Sequence, residues 1–305
     1  MKTNNESRIQ ETRGELYPKA PFDFEKSLSF IGGFSPMKNE QSLESSTMVK
    51  AFSVRKIPVV MELSSTGTVD SPKLSYVLYS EEALSDRIRD EAIERMDFFL
   101  SLSDDLSAFY ALAEQDDEFE PVLQRHYGYH QVKFMTPFEN ACWSILVQRN
   151  PMPAARQLKR YLYETYGRSL VVRGEQYATF PEPADLLEAN MEQLVETLGS
   201  RRAEYIQAVA AAFSQTEESF MKQGDYAAVR EWLLGIKGIG EWSAQFILIR
   251  GLGRMEQIPW NEKAALAAAS AVYHERMSPQ RLQEIADYYG IYQGYWLHYL
   301  RINHG

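Results

Sequence analysis

The chain has 305 residues, of which 45% are hydrophobic, and its formal net charge at pH 7 is −10. A chain of this length can bury a large core and divides into one to three domains. The acidic balance counts against a protein that binds nucleic acid through its overall charge.

Other features of the whole chain exclude several classes of protein. No apolar run reaches the length of a membrane span, and the polar start, 1–17, is unlike a signal peptide. The one cysteine, Cys142, excludes an intramolecular disulfide and a four-cysteine zinc or iron–sulfur site. The five histidines have no metal-ligand spacing. We predict a cytoplasmic protein with no metal and no cofactor.

The acidic residues are concentrated in the first part of the chain. Residues 1–129 hold 14 Lys and Arg against 23 Asp and Glu, whereas residues 130–305 hold 18 against 19. The second part is therefore nearly neutral, and a DNA-binding surface there remains compatible with the composition.

The N-terminal part is predicted to form a flexible tail over 1–17 and an α/β sheet domain over 18–95. Roughly alternating apolar residues predict strands over 48–54, 59–63 and 74–79 of a small antiparallel sheet. The stretch that starts at Phe22 predicts the first helix.

The rest of the chain, 96–305, has mostly helical spacing and is predicted to form two mainly helical lobes. The resulting fold class is α+β. The predicted helices of the chain after the sheet cover 82–102, 106–114, 141–147, 153–166, 183–189, 191–198, 201–213, 226–234, 242–249, 262–273, 279–289 and 294–302.

The sequence Leu-Gly-Ile-Lys-Gly-Ile-Gly-Glu-Trp-Ser-Ala over 234–244 joins two of the helical stretches. Its glycines allow a tight hairpin, and the amides that begin the second helix can bind an anion such as a DNA phosphate. A Gly-x-Gly alone is more often an ordinary turn between core helices. We predict that the DNA-backbone contacts come from Lys237, Gly238, Ile239, Gly240 and Ser243.

The whole frame, which continues through Phe246 to the Arg-Gly-Leu-Gly of 250–253, resembles the helix-hairpin-helix of DNA glycosylases. It is most similar to the 3-methyladenine DNA glycosylase II family, with the hairpin over 226–250. The resemblance extends to the stretches 138–148, 198–206 and 295–297. It implies a small antiparallel sheet domain followed by the two helical lobes, with the active site between the lobes.

The resemblance also implies a catalytic carboxylate about two dozen residues after Gly238. That position is Glu262, where the family usually has an aspartate. Relatives that also cleave the strand carry a lysine two residues after Gly240, and this chain has Trp242 there. The alternative is that Glu262 is an ordinary acid in the first turn of a helix, a position at which the helix dipole favours negative charge.

Two further groups of residues follow from the resemblance. The wedge loop that would enter the DNA is Gln148, Arg149 and Asn150, with Arg149 as the wedge; an exposed turn arginine is the alternative. Aromatic faces would bind an electron-poor, cationic base, although a role in the core is the alternative for several of them. The predicted base pocket is Phe30, Trp242, Phe246, Trp260, Tyr295, Trp296 and Arg301.

The predicted function is that of a monofunctional DNA glycosylase, which hydrolyses the N-glycosidic bond of damaged, alkylated bases in base excision repair. Its predicted partner is double-stranded DNA with a damaged base, bound by a monomer that does not contact membranes. Two alternatives remain open from the sequence. One is a non-catalytic DNA-binding paralogue, and the other is a glycosylase for a deaminated or oxidised base.

Overall fold

The computed structural model describes residues 9–44 and 46–304. Five strands near the N-terminus form one antiparallel sheet, in the order β1-β5-β4-β3-β2. Helix α1, Phe24–Gly33, separates the first strand from the others. The strands are β1 Gln10–Leu16, β2 Gln41–Glu44, β3 Thr47–Val54, β4 Ile57–Ser65 and β5 Leu74–Ser80.

Both faces of the central strands are covered. One face, which includes Phe52 and Met61, packs against α1 and helix α2, Asp86–Leu100. The other face, which includes Val60, packs against a two-stranded hairpin. That hairpin is formed by β6 Ser169–Val172 and β7 Glu175–Ala178, and it was not predicted.

The predicted flexible tail over 1–17 is wrong for its second half, because Gln10–Leu16 forms β1 and pairs with β5 over its whole length. This edge strand is mostly exposed, so the period-2 pattern that reveals a half-buried strand is weak in its sequence. Residues 1–8 lie outside the described part of the chain.

The remaining chain is mostly helical, and the predicted helices are found, with the predicted ends for 191–198 and 279–289 and with shifted ends for the others. Two short ones, α4 and α10, were not predicted. After α2 the helices are α3 Ser107–Ala113, α4 Glu120–Arg125, α5 Pro137–Leu146, α6 Met152–Tyr166, α7 Pro183–Leu187, α8 Met191–Leu198, α9 Ser200–Gln215, α10 Glu218–Gln223, α11 Tyr226–Gly235, α12 Glu241–Phe246, α13 Lys263–Val272, α14 Pro279–Tyr289 and α15 Gln293–His304.

These helices surround two hydrophobic cores. One core is formed by the consecutive helices from α5 through α12. The other is formed by α3, α4, α13, α14 and α15. A π-helical turn, Ile247–Gly251, follows α12 directly and contributes Ile247 to the first core and Ile249 to the second. The predicted α+β class and the two helical lobes agree with this arrangement, whereas the domain limits at 18–95 and 96–305 stay predictions. No helix within residues 9–44 and 46–304 is long and apolar enough to cross a membrane.

Candidate active site

The loop between α11 and α12 is a tight hairpin whose two central glycines have different roles. Gly238 has a φ of 97°, and a Cβ added there would lie 2.4 Å from the ring of Tyr205. Gly240 has an extended backbone, with a φ of −101°, and a Cβ there would meet no atom within 4 Å. The turn itself therefore requires glycine at position 238, while glycine at position 240 leaves open space outside the hairpin.

The five predicted DNA-backbone residues differ in accessibility. Lys237 is exposed and forms an ion pair with Glu204. Ile239 and Ser243 are buried, and the Ile239 amide donates to the carbonyl of Ile236 at 3.0 Å. The outward face of the hairpin therefore consists of Lys237 and the two glycines.

The predicted wedge loop follows α5 and is attached to this hairpin. The Gln148 side chain donates from Nε2 to the Gly238 carbonyl at 2.8 Å, and Arg202 donates to the Gln148 carbonyl at 3.1 Å. Arg149 is exposed and has a φ of 54°, in the left-handed region that few arginines adopt. Asn150 donates back to the Leu146 carbonyl at 2.9 Å.

A cavity of about 1090 Å³ opens between α11, α12, α14, α15 and the segment 256–262 that precedes α13. Trp242 and Phe246 line it and stack on one another, with ring centroids 5.2 Å apart and planes 8° apart. Trp260 also lines the cavity, and 47% of this residue and 50% of Trp242 are exposed. Exposed aromatic faces at the mouth of a cavity suit the stacking of a planar ligand.

The predicted catalytic carboxylate lies in this cavity. Glu262 is the residue before α13, but its side chain accepts no capping hydrogen bond from that helix. Instead it forms an ion pair with Arg301 of α15. The helix therefore fixes the position of the Glu262 backbone, and Arg301 fixes its carboxylate.

A second arginine, Arg250, lines the cavity and was not assigned a role from the sequence. The residue is only 6% exposed, and its guanidinium lies 4.8 Å from the ring of Phe30 and 4.7 Å from that of Phe34. None of its three guanidinium nitrogens has a hydrogen bond of good geometry among the described residues, although the Tyr129 hydroxyl lies close enough to act on its pKa. The feature of the sequence that could have indicated a role for Arg250 is a single arginine inside the apolar run 246–252.

The two arginines change the electrostatics around them. Burial, with repulsion from Arg301, lowers the pKa of Arg250 to about 10, although the phenol of Tyr129 acts in the opposite direction. Arg250 is therefore still a cation at neutral pH. Burial and the two cations hold the pKa of His298 well below its usual range, so this histidine is neutral.

The other residues predicted for the base pocket lie outside the cavity lining. Phe30 touches the cavity only through Arg250. Trp296 is fully buried in the core and donates to the Tyr273 hydroxyl at 3.0 Å. Tyr295 is also in the core and donates to Asp104. Within the described residues no group of acids, histidines or cysteines could hold a metal ion.

Known proteins resemble the chain over almost its whole length. The chain is 23% identical over 294 residues to DNA-3-methyladenine glycosylase from Bacillus subtilis (strain 168). The aligned region covers 92% of this chain and 93% of that protein. No protein-family model matches the chain.

Solved structures give the same result for the fold. The 3-methyladenine DNA-glycosylase from Archaeoglobus fulgidus has a TM-score of 0.76 at 20% identity, covering 95% of this chain and 97% of the other. The apo form of the Clostridium acetobutylicum 8-oxoguanine glycosylase/lyase has a TM-score of 0.68 at 17% identity, covering 96% and 97%. At these identities the likeness defines the fold alone.

The chain shares the fold of these two solved DNA glycosylases. The predicted resemblance to the 3-methyladenine DNA glycosylases is confirmed by the relative from Bacillus subtilis. The predicted α+β fold is confirmed as well.

Proposed function

We propose that the protein is a monofunctional DNA glycosylase, which takes one damaged base from double-stranded DNA into the cavity and hydrolyses its N-glycosidic bond. The observation that carries this proposal is the position of Glu262, in an aromatic-lined cavity beside the helix-hairpin-helix. The named relatives and structural neighbours support it, because they are DNA glycosylases.

The cavity offers the groups that such a reaction needs. Trp242 and Trp260 present accessible ring faces between which a flipped base can stack. As the bond to the base breaks, positive charge develops on the sugar, and the Glu262 carboxylate stabilises it and orients the attacking water. The ion pair with Arg301 keeps that carboxylate in one orientation before DNA binds.

We infer hydrolysis without strand cleavage from the absence of a suitable amine. Among the described residues that line the cavity, none is a lysine. Trp242 stands at the position where strand-cleaving relatives carry the amine that attacks the sugar. The expected product is an abasic site in an intact strand.

The outward face of the hairpin and the wedge loop form the proposed DNA-binding surface. Lys237 and the two glycines face outward for a backbone phosphate, and Arg149 projects from a loop whose position depends on the hairpin. The guanidinium of Arg149 would fill the space that the flipped base leaves. We expect a monomer to suffice, because these elements all belong to one chain.

A second candidate function is that of a non-catalytic DNA-binding protein. The ion pair between Glu262 and Arg301 favours it, because the cation partly neutralises the carboxylate that would otherwise stabilise positive charge on the sugar. Release of free base distinguishes the two functions.

The test is the release of free base from alkylated DNA and from deaminated DNA by the wild type, by Glu262→Gln and by Glu284→Gln, a matched control on the exposed face of α14. Glu262→Gln should keep DNA binding and lower base release by about 10²-fold, equivalent to roughly 3 kcal/mol of transition-state stabilisation. Glu284→Gln should match the wild type. Equal release by the wild type and Glu262→Gln would remove Glu262 from the mechanism. Binding without release by any of the three proteins would favour the non-catalytic function.

A further inference from the structure

The inner end of the cavity carries more positive charge than its rim. Arg250 is buried and Arg301 is partly buried, and both are cations at neutral pH. Among the acids of the described lining, only Glu262 is paired with either arginine, and its partner is Arg301. The local balance is therefore one net positive charge.

The acids of the lining other than Glu262 do not compensate this charge. Glu241 is paired with Arg230 at 2.5 Å, and Glu256 is paired with Arg254 at 2.6 Å. The remaining two acids, Glu231 and Asp287, are exposed at the rim. Water and salt screen charges at such positions far more than charges at the inner end of the cavity.

The two guanidinium groups leave most of their hydrogen-bonding capacity unused. Phe30 and Phe34 support Arg250 through their ring faces, and these contacts leave its N–H groups unpaired. Arg301 donates from one terminal nitrogen to Glu262, and the described residues supply no other hydrogen-bond partner to its guanidinium. Unpaired donors in a buried place are costly unless a ligand completes them.

We propose that Arg250 and Arg301 select an uncharged damaged base that carries a ring carbonyl, in preference to a cationic alkylated base. This inference rests on the proposed function. Arg301 donates a hydrogen bond to the carbonyl oxygen of the bound base. Arg250 attracts the same oxygen through its positive charge. A cationic base would be repelled by the same two groups.

The chemistry of the reaction gives the same preference. When an uncharged base leaves, the C1′–N bond breaks and its electron pair stays on the base, which becomes an anion spread onto the carbonyl oxygen. Water then forms the new C1′–O bond, and the proton it loses neutralises the departed base. Fixed cations near that oxygen stabilise the departing anion. A cationic base leaves as a neutral molecule, so the arginines would give it no such help.

The test compares single-turnover release of hypoxanthine, an uncharged carbonyl base, with release of 7-methylguanine, a cationic base, from matched duplexes. Each rate is divided by the rate of the protein-free duplex. The wild type should give the larger enhancement for hypoxanthine. Arg301→Met disturbs the orientation of Glu262 for both bases, but it should lower hypoxanthine release by about 10²-fold more than 7-methylguanine release, as expected for the loss of one donor to a developing anion.

Two further variants complete the experiment. Arg301→Lys retains the charge and should keep most of the preference, and Arg281→Met, which removes an exposed arginine paired with Glu275, should match the wild type. A larger wild-type enhancement for 7-methylguanine would overturn the inference. So would an equal loss for both bases in Arg301→Met, which would mean that Arg301 acts only through Glu262. Release of neither base by the wild type would instead overturn the proposed function, and this inference with it.

Discussion

Two groups of charged side chains in this protein, one buried and one partly buried, differ in how completely their charges are paired. The first, which we call the paired cluster, joins α5 and α6 to the segment before β2. Lys159, only 2% exposed, donates to Glu139 at 2.7 Å and to Glu40 at 2.5 Å. Tyr163 donates to the same two carboxylates, and Lys50 lies 3.4 Å from Glu40.

The second group lies at the inner end of the cavity and consists of Arg250, Arg301 and Glu262. Here Glu262 is paired with Arg301, and four guanidinium nitrogens, the three of Arg250 and Nε of Arg301, have no hydrogen bond of good geometry among the described residues. Removing one partner from a fully paired buried group destabilises the fold, whereas a buried charge that is unpaired already costs stability and is retained where a ligand uses it. We infer that the paired cluster holds α5 and α6 against the N-terminal sheet domain and that the second group serves the reaction.

The largest expected effect comes from breaking the paired cluster. Lys159→Met leaves Glu40 and Glu139 buried without their cation, so the free energy of unfolding should fall by about 3–5 kcal/mol. Denaturant titration measures this change. Lys73→Met, at the exposed Lys73–Glu15 pair, is the control and should leave the unfolding midpoint unchanged. A midpoint for Lys159→Met equal to that of the wild type would mean that the cluster does not stabilise the fold.

The same cluster predicts how stability depends on pH. Burial alone would raise the pKa of Glu40, but the cations of Lys159 and Lys50 outweigh burial and lower it. The stability that Glu40 contributes is therefore present above about pH 4.3, the ordinary carboxyl pKa, and is lost as the pH falls through its lowered pKa. Lys159→Met should weaken this acid dependence in pH-resolved unfolding curves.

A smaller effect of opposite sign is expected at the cavity. Arg250→Met removes an unpaired buried cation and keeps an apolar side chain against Phe30 and Phe34. The free energy of unfolding should be unchanged or higher by about 1 kcal/mol, while base release falls. A loss of stability as large as that of Lys159→Met would contradict the distinction between the two groups.

The sequence predicted the parts of the fold that repeat a pattern. The strands β3 to β5 and most helices have apolar residues at the expected spacing, and the glycine hairpin has a distinctive sequence. The edge strand Gln10–Leu16 was missed because its stability comes from backbone pairing with β5 rather than from a hydrophobic face. The hairpin β6–β7 was missed because each of its strands has only four residues.

The site was predictable only where a motif fixed the position. Counting from Gly238 located Glu262 in the cavity that Trp242, Phe246 and Trp260 also line. Spacing could not reveal that Arg301 would reach Glu262 from another helix 39 residues away. It could not separate the cavity residues from Trp296 either, since a tryptophan that fills a core and one that lines a pocket have the same sequence signal.

The most direct test of the account is the product of a single turnover on a duplex with one damaged base, analysed for free base, abasic sites and strand breaks together. We predict free base and intact abasic strand in equal amounts, with no covalent protein–DNA adduct after borohydride treatment. Strand cleavage in step with base release, or a trapped adduct at stoichiometric yield, would contradict hydrolysis directed by Glu262 and would point to an amine such as Lys263 as the nucleophile.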